Sequence, residues 1–511
     1  MMCDREFLEV TMKILAPILN AAAALTLLVG VGVAGAQQAA PGPQDVRIEH
    51  DLLGEKALPA SAYYGVQTAR ALENFQISGG TISDYPDLVN GWAFVKMAAA
   101  MANADLGTMD AATRDAILKA GEAILEGKYH NQFLVDPYQG GAGTSTNMNA
   151  NEVMANVALE LTGHALGEYD VVEPHDDLNM SQSTNDSYPT ALKVAILYGN
   201  DAVVAELEQL VAAFRAKGNE FLNILKMGRT EMQDAVPMTV GQEFHALAAV
   251  LEAEIAGLRT AERPLHAINM GGTAIGTGLN APEGFAERTA AHLAALTGKP
   301  FVPARDLIGA TWDQGAFVTY SSGLKGLAVK LSKVASDLIL LGSGPRAGLN
   351  EINLPAMQPG SSIMPGKVNP VMPELVNLVA FRVMGNDMTV TLAAQHGQLQ
   401  LNAYEPIEAI AILESQTLLT NSLRAFRERC IEGITVNIGT QETNIDRTVG
   451  IVTALNPVIG YERATELAKE AYETNKGILE LIREKGVLSE EQIEEILNPA
   501  ALTGLDPDAY Q

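Results

Sequence analysis

The chain has 511 residues, 47% of them hydrophobic but only 5% aromatic, so leucine, alanine and valine build the core. That length suits two or three domains, and the aliphatic bias favours long packed helices over a β-sandwich. The formal net charge of −27 argues against nucleic acid or an anionic membrane as partner, yet permits an anionic substrate in a local cationic pocket.

At the N-terminus, Met12-Lys13 precedes an apolar run from Ile14 to Val33. Ala34-Gly35-Ala36 then offers small residues before Gln37, as a signal-peptidase site does. A membrane anchor is the alternative, but the A-x-A ending favours a cleaved signal and export to the periplasm. Asp4, Glu6 and Glu9 do not suit a basic leader, which points to Met12 as the start; without cleavage the protein stays in the cytoplasm. The only cysteines are Cys3 and Cys430, and cleavage leaves the second as a single thiol.

Folded sequence is expected from Val46. Residues 46–181 read as an N-terminal domain of short helices and loops, with helical spacing over Trp92–Leu106 and Ala111–Leu125. Gln139–Asn151 reads as a Gly/Thr/Asn-rich loop. Residues 182–436 read as a helical domain. Val203, Leu207, Leu210, Val211, Phe214, Phe221, Leu222 and Leu225 hold one apolar stripe. Phe244–Leu258, Leu324–Leu341 and Ile407–Leu423 repeat the pattern. Helices of this length need a bundle, completed by other subunits. Three loops are expected between them: Met227–Pro237, Met270–Pro282 and Gly342–Pro373. Residues 437–511 read as a small C-terminal helical domain with helices over Glu462–Lys485 and Ser489–Leu497; Ser489 and Gln492 form a capping box.

Four polar clusters interrupt this pattern. Gly140–Asn149 exposes backbone N–H groups among hydroxyls and amides. Ser181-Gln182-Ser183-Thr184-Asn185-Asp186 directly precedes a helix, where backbone donors can face an anion. Gly228–Asp234 follows a long helix. Gly360-Ser361-Ser362-Ile363-Met364-Pro365-Gly366-Lys367-Val368-Asn369-Pro370 sets two hydroxyls near a lysine in a loop, which suits oxygen activation and carboxylate binding. Taken singly, the first three read as helix caps or turns. The eight histidines show no metal-binding pair, Ser361 lies in no G-x-S-x-G elbow, and the glycines of Met270–Asn280 follow no apolar strand. Metal catalysis, a serine hydrolase and a dinucleotide site therefore lack support.

Together, Gly140–Asn151, Ser181–Pro189, Gly228–Pro237 and Gly344–Pro373 resemble, in order and separation, the signatures of the fumarase/aspartase superfamily. The resemblance runs from Arg47 to the end. Ala62–Thr68, Gly143-Thr144-Ser145, Asp234–Thr239, Ala347–Pro355, Gly397–Asn402 and Gly450–Thr453 follow the aspartase version rather than the class II fumarase version. Gly366 is a fumarase-like choice. Glu231 stands where fumarases carry histidine and many aspartases histidine or glutamine.

The resemblance implies a mainly α, three-domain fold whose central long-helix bundle is completed by tetramerisation. It implies a homotetramer with active sites shared by three subunits, no required organic cofactor, and Mg²⁺ at most as an activator. The implied reaction is reversible loss of ammonia from L-aspartate to give fumarate, through removal of a Cβ proton and an aci-carboxylate intermediate. Ser361 matches the general base. Lys367 grips the α-carboxylate with Asn369 nearby. Thr144, Ser183, Thr184 and Ser362 surround the β-carboxylate, while Asn185, Thr230 and Glu231 lie near the amino group. By the same analogy Glu374 supports Glu231. The alternatives are a fumarase-type hydratase, a lyase on a related substituted succinate, and a silent oligomer, the last disfavoured by retention of Ser361, Lys367, Thr144 and Asn185.

Overall fold

The computed structural model describes residues 46–504. The expected export signal over 1–45, with Cys3, lies outside them, as do residues 505–511. No helix among the described residues is long and apolar enough to cross a membrane.

The described chain opens with an antiparallel hairpin that the sequence pattern did not announce, β1 (Val46–Asp51) with β2 (Gly54–Pro59), registered from Val46 opposite Pro59 to Asp51 opposite Gly54. Helix α1 (Val66–Asn74) follows, then α2 (Pro86–Asp105) and α3 (Ala111–Leu125). Asp110 caps α3 by accepting the N–H groups of Ala112 and Thr113. Helix α2 is apolar on nearly every side and is buried accordingly, Leu88, Trp92, Val95 and Ala99 among its core residues.

Gln139–Asn151 is not a loop throughout, because α4 (Thr144–Leu161) starts within it. Its first turns bury Asn147, Asn149 and Asn151, so this helix hides a polar face that no apolar period reveals. Gly143 precedes it at φ 84°, and a Cβ there would stand 2.2 Å from the Tyr188 ring.

Helix α5 (Thr184–Glu220) is the spine of the fold. Its 37 residues span about 55 Å at 1.5 Å each. Ser183 and Asp186 cap it with reciprocal bonds. Pro189 lies inside the helix and has no N–H for the Asn185 carbonyl, which instead accepts from Asn269 Nδ2 at 2.9 Å. The helix ends at Glu220, so Leu222 and Leu225 do not extend its stripe.

The expected loop over Met227–Pro237 is a β-hairpin, β3 (Leu225–Thr230) with β4 (Gln233–Thr239). Glu231 and Met232 make its two-residue turn with φ of 53° and 66°, the left-handed region such a turn demands. Helix α6 (Val240–Ala261) returns along α5 from a Thr239–Gln242 capping box. A two-residue strand β5 (Ala267–Ile268) pairs parallel with β6 (Val302–Pro303), with α7 (Phe285–Thr297) between them. Helices α8 (Leu307–Trp312) and α9 (Gly315–Leu341) follow. β7 (Ile352–Asn353) then pairs with β8 (Thr435–Val436), and α10 (Val371–Gln395) and α11 (Glu405–Arg429) complete the bundle.

Helices α5, α6, α9, α10 and α11 pack side by side. Leu324, Leu327, Leu331, Val334 and Leu338 of α9 are all buried in the seam. Each such side chain contributes about 1.5–3 kcal/mol, and Leu331→Ala would cost about 2–5 kcal/mol. A second apolar core joins Met227 to the C-terminal helices α12 (Ile438–Arg447), α13 (Val452–Ile459), α14 (Tyr461–Thr474), α15 (Ile478–Lys485) and α16 (Glu490–Ile496), through Ile445, Leu455, Leu467, Ile478, Ile482 and Ile493; a last short helix, α17 (Pro499–Thr503), buries no residue. The single helix expected over Glu462–Lys485 is therefore two, broken where Asn475 turns left-handed at φ 56°.

Candidate active site

The bundle has two ends, and the four polar clusters divide between them. The near end carries the start of α5. There Lys193 Nζ donates to Ala267 O at 2.7 Å, and Gln314, just before α9, donates to Glu405 at the start of α11 at 2.9 Å. The far end carries the close of α5, where Lys217 Nζ donates to Ile434 O at 3.0 Å.

Thr144, Ser183, Thr184 and Asn185 meet at the near end. Thr184 Oγ1 accepts Asn147 Nδ2 at 3.0 Å, which ties α4 to α5. Thr144 is exposed and donates to Gly141 O at 2.8 Å. Ser183 Oγ accepts the Asn185 N–H at 3.2 Å, and Asn185 Nδ2 donates to Ala274 O at 2.7 Å. The last bond brings the Met270–Pro282 loop to the cluster. Asp186 lies beneath it, fully buried, accepting the N–H groups of Gly271 and Thr273. Burial pushes its carboxyl up to about 6, against the lowering pull of those bonds and of Lys96.

Lys96 is the site residue that sequence reading missed. It is 1% exposed on α2 and spends its three hydrogens on Asn147 Oδ1 at 2.7 Å, Gln182 Oε1 at 3.0 Å and Asn179 Oδ1 at 3.3 Å. Burial pushes its ammonium down to about 7, opposed by the negative field of Asp186. A signal existed: it is the one charge in the apolar run Trp92–Met101.

Thr230 and Glu231 lie at the far end, exposed at the β3–β4 turn. That hairpin is bolted to the next segment by Glu351, fully buried, which pairs with Arg229 at 2.5 Å and Lys226 at 3.2 Å. The segment leads into the Ser361 loop. Gly360 N–H donates to Lys367 O at 2.7 Å and Asn369 Nδ2 to Gly360 O at 2.8 Å, closing the loop on itself. A Cβ at Gly360 would stand 2.8 Å from Lys367 O, so glycine is required. Asn369 thus uses its side-chain nitrogen inside the loop. Ser362 and Lys367 are exposed, and Glu374 is exposed in the first turn of α10.

Ser361 Oγ accepts the N–H groups of Met364 at 3.0 Å and Ile363 at 3.2 Å. Two backbone donors on one hydroxyl oxygen favour its ionised form. Serine commonly closes its own turn in this way, and Lys367 lies on the same loop.

One chain therefore brings together Thr144, Ser183, Thr184 and Asn185 at the near end. Thr230 and Glu231 lie on the far-end hairpin turn, and Ser361, Ser362, Lys367 and Asn369 on the loop that leads to Glu374; among the described residues no hydrogen bond or ion pair joins that turn to that loop. The length of the bundle keeps the near-end cluster apart from both. Among the described residues no three His, Cys, Asp or Glu side chains are grouped to hold a metal ion.

A family model described as Lyase matches residues 54–385, and one described as Fumarase C C-terminus matches residues 451–504. The chain is 55% identical over 454 residues to an aspartate ammonia-lyase of Pseudomonas canavaninivorans, covering 89% of this chain and 96% of the relative. A crystal structure titled fumarate lyase:delta crystallin from Brucella melitensis, bound to cobalt, superposes with a TM-score of 0.86 at 49% identity, covering 89% of this chain and 98% of that one. The class II fumarase of Schistosoma mansoni superposes at 0.82 but at 36% identity, with the same coverages.

Proposed function

The chain belongs to the fumarase/aspartase superfamily of lyases, and from that premise we infer that it catalyses the reversible deamination of L-aspartate to fumarate and ammonia. The observation that carries this reading is the 55% identity, over nearly the whole relative, to an aspartate ammonia-lyase, against 36% to a fumarase.

The proposed chemistry follows from the two ends of the bundle. Ser361, its oxygen held by two N–H donors, takes a proton from Cβ. The electron pair moves into the β-carboxylate, giving an aci-carboxylate with an extra negative charge. Thr144, Ser183, Thr184 and Ser362 supply the hydroxyls that hold this carboxylate and stabilise the charge that develops on it. Lys367 holds the α-carboxylate. Collapse of the intermediate forms the double bond and breaks Cα–N. An ammonium group leaves as neutral ammonia with the bonding pair, so this departure needs no proton donor. A hydroxyl leaving as water does need one. Glu231, where fumarases carry histidine, suits the first better than the second. The chemistry needs no cofactor.

These groups reach one substrate only if several copies of the chain supply them, and we propose a homotetramer with sites shared by three subunits. A second feature supports assembly. On α10, Leu378, Phe381, Gly385, Met388 and Leu392 recur at alternating three- and four-residue steps, and the four large ones are 48–65% exposed. A stripe of this spacing suits knobs-into-holes packing against a copy of the same bundle. Fumarate formation from L-aspartate, followed by absorbance, tests the assigned activity.

A further inference from the structure

We propose that Lys96 is a positioning residue for the substrate: through Asn147 it forces the Thr184 hydroxyl to point its hydrogen at the substrate carboxylate. The proposal rests on the assignment of Thr184 to the substrate site.

The argument is one of donor and acceptor bookkeeping. A lysine ammonium has three donors and no acceptor. Lys96 is enclosed, and its three bonds all go to amide oxygens, those of Asn147, Gln182 and Asn179. Asn147 is 1% exposed and must turn its oxygen to the lysine. Its nitrogen then faces the other way and donates to Thr184 Oγ1 at 3.0 Å and to Asn179 Oδ1 at 3.0 Å. The reverse rotamer would set an NH₂ group against the ammonium.

Thr184 is thereby fixed as an acceptor on its inner side. A threonine inside a helix can give its hydrogen to the carbonyl four residues back, but Thr184 is the first residue of α5 and has no helical carbonyl behind it. Here the Thr184 hydrogen has no partner among the described residues, and Thr184 is 8% exposed at the mouth of the near-end cluster. A substrate carboxylate only accepts, so it needs a hydroxyl that arrives as a donor. A fixed cation at the root of the chain of bonds also polarises each bond along it. The polar wall of α4 and α5 thus has a use beyond capping: it sets the direction of one hydrogen.

The decisive variant is Asn147→Asp. The new carboxylate pairs with Lys96, so folding is retained, but it offers no donor to Thr184. The threonine hydrogen then turns inward to the carboxylate. The expected result is a melting temperature at or above that of the parent and a KM for L-aspartate raised about tenfold, the loss expected for one hydrogen bond to a charged group, with kcat changed less. Thr184→Val should raise KM to a similar extent, and adding Asn147→Asp to it should raise KM no further. Lys96→Met, read in both the parent and the Thr184→Val background, gives the same non-additive pattern if Asn147→Asp does not fold. Thr184→Val raising KM while folded Asn147→Asp or Lys96→Met leaves it at the parent value would overturn the positioning role and leave the site assignment standing. Thr184→Val with an unchanged KM would overturn the site assignment, and the positioning role with it.

Discussion

Thr184 opens helix α5 and Thr230 lies beyond its far end, so 37 helical residues, about 55 Å, separate two hydroxyls assigned to one substrate. Helix α9 imposes the same on Ser361: it runs from Gln314, bonded to Glu405 at the near end, to Leu341 at the far end, before the Ser361 loop. No loop movement closes such a gap within one chain. Thr144→Val combined with Ser183→Ala in one chain, and Ser361→Ala in another, should each inactivate the enzyme, and a mixture dissociated and reassembled should recover activity that neither has alone. Assay of the mixed oligomer checks this; a mixture as inactive as its parents would contradict shared sites.

Ser361→Ala removes one hydroxyl from an exposed loop, so assembly and melting temperature should be unchanged while kcat falls by about 10² to 10⁴. Lys367→Ala should raise KM as well, since a carboxylate loses its cation. Steady-state kinetics on both variants separate the two roles.

Glu231→Gln should keep lyase activity but weaken aspartate binding a few-fold, the scale of an exposed charge pair, and alter the pH dependence of kcat/KM. The cause would be loss of a carboxylate facing the substrate ammonium. Superimposable pH profiles with the same KM would show that Glu231 only shapes its turn.

Glu405 and Glu408 are buried together at the start of α11, and both oxygens of Glu408 lack a hydrogen-bond partner. Burial pushes Glu405 up to about 8, against the lowering bond from Gln314 and field of Lys193; burial, then the charge of Glu405, raises Glu408 well above the usual range. The folded pair binds more protons than the unfolded chain, whose glutamate carboxyls titrate near their ordinary 4.5. Stability should therefore fall as pH rises from that value through about 8. Glu408→Gln should flatten the fall and stabilise the protein at alkaline pH by about 1–3 kcal/mol. Melting temperature measured against pH for both proteins tests it.

Much of this architecture is legible from residue spacing alone. Ala111–Leu125 is a helix over the expected span, the α9 stripe is buried throughout, and Ser489 with Gln492 forms its capping box. The misses share a physical cause, a local rule overridden by tertiary contact. The β3–β4 hairpin turns on Glu231-Met232, with neither glycine nor asparagine to mark left-handed backbone. The start of α4 is polar because it faces Lys96 and the near-end cluster rather than the apolar core. The break at Asn475 is the exception, a local signal overlooked: asparagine tolerates the left-handed backbone that ends a helix, and Gly477 follows two residues on. The four site clusters were visible as motifs, but their division between the two ends of the bundle follows only from the path of the helices.

The apolar run before Ala36 carries a separate proposal, export to the periplasm. N-terminal sequencing of native protein from fractionated cells should find Gln37 as the first residue. An intact leader in the cytoplasmic fraction would contradict it.

The most direct test of the central claim is kcat/KM for L-aspartate, followed by fumarate absorbance, beside L-malate and a panel of substituted succinates. The account predicts that L-aspartate is strongly preferred, with ammonia released in equal amount to fumarate and the activity lost in Ser361→Ala. Comparable or faster turnover of L-malate, or fumarate formed only from another substituted succinate, would contradict it.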